Sequence, residues 1–201
     1  MRDFFLNTPW PGTITWALLY ISDFVLTITC ARLYRRNVSA KIVFEGSFEL
    51  NPFFRRDVDS MKLVSPRFLL MLILSSTLVS VYWALTVPDS KNLYSFLLGA
   101  AVCVELAIHV RHLGNLYLFS SKLTARQLRG RIEYARPLLL RMSSVQVIGF
   151  AILFAVLFVF TRNWFVAGGM ISCLVLGLKH WYLANRAARN QVPSAEQVPV
   201  T

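Results

Sequence analysis

A chain of 201 residues that is 56% hydrophobic carries only 15% charged residues, well below the roughly 25% of a soluble domain. Its apolar runs near 20 residues exclude an ordinary water-soluble fold and point to an all-α, polytopic membrane protein. The net charge of +11 invites a nucleic-acid reading, but no nucleic-acid-binding motif or interleaved aromatic pattern accompanies it, so no nucleic-acid partner is expected.

The opening MRDFFLNTPWPG is not built like a secretory signal. Arg2 and Asp3 cancel, no small-residue cleavage site follows, and the first span is expected to stay in the mature protein. That span is predicted over 12–33, after the turn-forming Pro11-Gly12, and it carries Asp23. In the loop beyond it, VFEGSFELNP gathers Glu45, Glu49 and Asn51. Asn51-Pro52 reads as an N-cap and first turn, and FFRRDVDSMKL continues it as a short interfacial amphipathic helix with Phe54, Val58 and Met61 on one face.

The second span is predicted over 66–86, with Ser65 and Pro66 as N-cap and first turn. The third, 93–119, is the one around which the chain is organised. It is long enough to cross a bilayer yet carries Glu105, His109, Arg111 and His112, and ionisable groups inside a span are costly and usually functional. At about 100° per residue, Glu105, His109 and His112 share an arc of about 60°, while Arg111 points away. In the following loop Thr124 and Gln127 suit a capping box, with Gly130 ending a short helix. The fourth span is predicted over 137–160 and the fifth over 164–183. On the fifth, Gly169, Cys173 and Gly177 form a small-residue ridge that lets helices approach closely, and His180 falls on the same face. The three cysteines, Cys30, Cys103 and Cys173, all lie in apolar runs and read as packing residues. The expected organisation is one transmembrane helical domain over 1–190 and a flexible cytoplasmic tail over 191–201.

Lysine and arginine set the expected orientation. The first loop holds Arg35, Arg36, Lys41, Arg55, Arg56 and Lys62, and the third holds Lys122, Arg126, Arg129, Arg131 and Arg136. The other side offers only Arg2, Lys91 and Arg162, which predicts an outside N-terminus and a cytoplasmic C-terminus. The partners expected are the bilayer, anionic headgroups at Arg126, Arg129, Arg131 and Arg136, and further copies or a larger membrane complex. In a bacterium the location would be the inner (plasma) membrane.

Counting at 1.5 Å per residue puts Asp23 about 16 Å and Glu105 about 18 Å below the starts of their spans, near mid-bilayer. His109 and His180 come out about 24 Å down theirs. The buried polar set is therefore Asp23, Glu105, His109, His112 and His180. In one reading these groups are interhelical glue that stabilises a membrane assembly. In a second they handle protons or cations, with Ser75, Ser76, Thr77 and Ser80 available to wall the path. In a third, Glu105, His109, His112 and His180 hold zinc or iron for a metal-dependent intramembrane enzyme, with Glu45 or Glu49 reaching in from the loop. No G-x-S-x-G elbow, H-E-x-x-H or glycine-rich phosphate loop occurs, so the chemistry leans to a non-enzymatic protein. An accessory subunit docking a partner through its basic loops is a further class.

Overall fold

The computed structural model describes residues 2–46, 49–50, 53–62, 64–120 and 129–191. Among them are seven α-helices and one two-stranded parallel ladder. The helices are α1 (Arg2–Leu6), α2 (Trp10–Leu33), α3 (Arg55–Asp59), α4 (Pro66–Thr86), α5 (Lys91–Ser120), α6 (Arg136–Thr161) and α7 (Trp164–Gln191). The strands are β1 (Ile42–Phe44) and β2 (Ile132–Tyr134). Five helices, α2, α4, α5, α6 and α7, are long and apolar enough to cross a membrane.

The helix starts follow local chemistry. Ser65 sits in extended backbone before α4, and its Oγ accepts the Phe68 N–H at 3.4 Å. Pro66 and Pro137 occupy first-turn positions where a missing N–H costs nothing. α2 does not stop at Leu33 but widens into a π-type turn, Tyr34–Val38. That turn aims Asn37 Nδ2 at the carbonyl of Phe119, 2.6 Å away, and so satisfies an open carbonyl at the end of α5.

α5 is the central post. α2 packs along one side of it and α7 along another, α6 packs chiefly on α7, and α4 leans on α2. The α5–α7 contact is a backbone contact: a Cβ on Gly99 would run into the carbonyl of Phe165, and one on Gly168 into that of Phe96. The expected ridge lies in the same seam, with Gly169 against Cys103, Cys173 fully buried and Gly177 against Ile148 of α6. In lipid, such close approach replaces the hydrophobic drive that water would supply. The outer faces of α4 and α6 present a belt of exposed leucine, isoleucine and valine side chains. All three cysteines are buried free thiols.

Two local features depart from the sequence reading. The two basic loops are joined by the parallel ladder, Ile42 opposite Ile132 and Phe44 opposite Tyr134. Three-residue strands contributed by loops some 90 residues apart leave no periodic pattern in the sequence. The expected interfacial helix shrinks to the single turn α3; Asn51, Pro52 and Leu63 lie outside the described residues. α3 is ended by Met61 at φ 52°, and its Val58 is buried in a cluster with Phe24, Ile28 and Phe68. Asp57 is buried and accepts the Ser65 hydroxyl at 2.6 Å, so the turn is bolted to the start of α4. Of the capping box predicted beyond α5, Thr124 and Gln127 are outside the described residues, and Gly130 stands at φ +81°.

Candidate functional site

The polar groups of α2 and α5 meet along one parallel seam. Ser22 pairs with His109, and Thr27 with His112, so positions rise together on the two helices. Asp23 comes between them. Its Oδ1 lies 3.1 Å from His112 Nε2, which also meets Thr27 Oγ1 at 3.2 Å. The Asp23 oxygen lies outside hydrogen-bond geometry, so this contact is a close polar approach rather than a directed hydrogen bond. Farther along, the Cys30 thiol donates to the carbonyl of His112 at 3.4 Å.

His109 is held at both nitrogens. Nδ1 lies 2.7 Å from the Glu105 carbonyl, which accepts its proton, and Nε2 is 2.6 Å from Ser22 Oγ. The expected Glu105–His109 contact therefore runs through the backbone oxygen of Glu105 and leaves its carboxylate to face α2. There Asp23, Glu105 and His109 bring one ligand-type atom each to within 4.8 Å of one another. Glu105 Oε2 and Asp23 Oδ1 have no solvent contact and no hydrogen-bond partner.

His180 stands apart from this trio. Its Nδ1 is 2.9 Å from Ser143 Oγ on α6, and the same oxygen accepts from Arg111 Nη1 at 2.6 Å. An arginine can only donate, so Ser143 Oγ accepts from Arg111 and bridges it to His180. One turn of the same seam is closed by Ser144 Oγ donating to the carbonyl of Gly177 at 2.7 Å. The four residues expected to share a metal, Glu105, His109, His112 and His180, are thus divided. His109 stays with Glu105, His112 turns to Asp23 and Thr27, and His180 is taken by α6. The helical wheel aligned the first three correctly, but it carries no information on which neighbouring helix meets each.

A cavity of about 230 Å³ opens beside the trio, bordered by Asp23, Glu105, Arg111, His112, Lys179 and His180. A second, of about 680 Å³, lies between α5 and α6 toward the ladder. Arg111, His112, Glu49 and Leu50 border both. Arg111, placed off the site by its angle on the wheel, thus reaches it through the length of its side chain. The signal was there in the sequence: an arginine inside an apolar span is itself a marker.

The loop residues divide similarly. Glu45 Oε2 accepts the backbone N–H of Arg136 at 2.9 Å and so caps α6 from across the ladder. Glu49 borders the two cavities, and Asn51 lies outside the described residues. Arg129 and Arg131 are exposed, with Arg131 paired to Glu133 at 2.7 Å, and Arg126 lies outside the described residues. Two of the polar groups of the second span are used elsewhere than in a path wall: Ser75 accepts from Trp16 Nε1 at 2.9 Å, and Ser80 meets Thr13 at 2.8 Å, which zips α4 to α2.

No protein-family model, curated protein or solved structure matches the chain.

Proposed function

We propose that this integral membrane protein takes up and releases a proton or a cation between α2 and α5, at Asp23, Glu105 and His109. One observation carries the reading: two occluded carboxylate oxygens, Glu105 Oε2 and Asp23 Oδ1, converge with an imidazole; Glu105 Oε2 has no hydrogen-bond partner, and Asp23 Oδ1 has only the His112 ring beside it. Two carboxylates this close in a medium of low dielectric call for positive charge between them, which a proton or a bound cation supplies. The groups beside them suit a relay. Ser22 lies 2.6 Å from His109, and His112 lies 3.1 Å from Asp23 and 3.2 Å from Thr27, while Asp23 and His109 stand within 4.8 Å of each other; hydroxyl and imidazole groups both accept and donate. The 230 Å³ cavity supplies a vestibule, with Glu49 and Lys179 among its walls.

His180 belongs to a different task under this reading. With Ser143 and Arg111 it ties α7, α6 and α5 together, which is the interhelical glue expected of polar groups in lipid. The lysine and arginine distribution supports an outside N-terminus and a cytoplasmic C-terminus, with the ladder and Arg129, Arg131 and Arg136 at an anionic headgroup layer.

Reconstitution tests the proposal. In liposomes carrying a pH or cation gradient, the wild-type protein should dissipate the gradient, and Glu105→Gln and Asp23→Asn should each abolish that flux while keeping helical content. Equal flux in the variants would refute it.

A further inference from the structure

We infer that Asp23, Glu105 and His109 form a binding centre for one divalent transition-metal ion, of the manganese, iron or zinc class. The inference rests on the reading above and names the cation.

The first argument is the state of His109. Its Nδ1 hydrogen is committed to the Glu105 carbonyl, 2.7 Å away, so that in the neutral ring the lone pair stands on Nε2. Metal-bound histidines are held in this manner, the far nitrogen donating to a carbonyl or carboxylate. The Ser22 hydroxyl now facing Nε2 has a second acceptor, the Leu19 carbonyl at 2.9 Å, so its hydrogen has somewhere to turn when a metal takes the nitrogen.

The second argument is an orphaned oxygen. Glu105 Oε2 is occluded without a partner, a costly condition that a metal would relieve, and Asp23 Oδ1 beside it meets only the His112 ring, outside hydrogen-bond geometry. Their atoms and the His109 nitrogen already lie within 4.8 Å of one another, and bonds of about 2.0–2.2 Å to a common ion need separations of roughly 3.4 Å. Binding an ion would draw the three side chains together by rotation across that gap. His112 and Thr27, behind Asp23, supply the outer contacts that orient a carboxylate ligand.

The third argument is charge. Two carboxylates and a neutral imidazole balance a dication, so the ligand set and its ion together add no net charge to the bundle interior. Two hard oxygens with one borderline nitrogen select manganese, iron or zinc over copper(I), and the nitrogen counts against calcium or magnesium. Three protein ligands leave a coordination position open, and the 230 Å³ cavity adjoins it.

The experiment uses the full-length protein in nanodiscs, stripped with a chelator, and then titrated with Zn²⁺ by calorimetry and with Co²⁺ as an optical probe. One ion per chain is expected. Asp23→Asn, Glu105→Gln and His109→Gln should each weaken binding by more than about tenfold, the lower bound seen even for outer contacts, and His180→Gln should leave it unchanged. Binding that survives the three ligand variants would overturn the inference. So would absence of binding in a folded protein whose proton flux still depends on Glu105, a result that would spare the reading of the site as a proton carrier. Absence of both binding and flux would remove the two together.

Discussion

Arg111 on α5 donates to Ser143 on α6 at 2.6 Å, across a seam where those two helices otherwise have little contact. Among the described residues this serine is the hydrogen-bond acceptor of the guanidinium, and its oxygen also meets His180 Nδ1 at 2.9 Å. Removing the hydroxyl strands a cation inside the bundle and a histidine beside it. Ser143→Ala should lower stability by about 1–3 kcal/mol, the cost of leaving a buried polar group unmet. Thermal unfolding in detergent reads it. Adding His180→Ala should cost less in the Ser143→Ala background than in wild type, because both act on one network.

Ser65 gives a sharper test because ordinary capping rules predict the wrong order for it. Aspartate is as good an N-cap as serine in general. Here the Ser65 hydroxyl both caps α4 and donates to the buried carboxylate of Asp57. Ser65→Ala should therefore cost about 1–3 kcal/mol, more than a simple cap loss explains. Ser65→Asp should be worse still, since it sets two carboxylates against each other. An aspartate variant as stable as wild type in a denaturant titration would show that the Asp57 bond contributes nothing.

Glycine positions in α5 and α7 should divide by what lies opposite. Glycine to alanine in an exposed helix interior ordinarily gains up to about 1 kcal/mol. Gly114 has nothing within 4 Å of where a Cβ would stand, so Gly114→Ala should be neutral or stabilising. Gly99→Ala and Gly168→Ala push into backbone carbonyls and should separate α5 from α7. Melting temperature and resistance to unfolding by detergent should fall in those two variants alone.

The basic loops make a prediction about lipid. Replacing Arg126, Arg129 and Arg131 with glutamine should reduce copurifying anionic phospholipid, at about 1 kcal/mol of attraction per residue near a charged surface. Quantifying bound phospholipid by mass spectrometry checks it. Arg131 already answers Glu133 at 2.7 Å, whereas no ion pair of Arg129 is recorded, so the single variant Arg129→Gln should lose more than Arg131→Gln.

Much of the site was legible before any fold was known, though unevenly. Glu105, His109 and His112 shared a face by angle, and counting gave Asp23 and Glu105 similar depths without saying that their helices are neighbours; the α2–α5 seam unites all four. His180 was aligned by the same reasoning with the right ridge, yet it meets Ser143, because the ridge of α7 is shared between α5 and α6. Ser22, Thr27 and Ser143 could not be singled out at all. Serine and threonine are common in membrane helices, and only the position of a neighbour's imidazole or guanidinium separates a partner from a bystander.

The residues alone determined that five long apolar helices exist, and a proline in the first turn marked the starts of α4 and α6, since both are local facts. They also determined that carboxylates and imidazoles lie deep within those helices, for depth along a helix is a matter of counting. Only the tertiary structure decided which helix stands in the centre, that two distant loops pair as strands, and that Asp23 replaces His180 beside Glu105. Those outcomes depend on rotation and neighbour choice, set by glycine contacts and side-chain reach across helices, and a single chain read from end to end contains no coordinate for either.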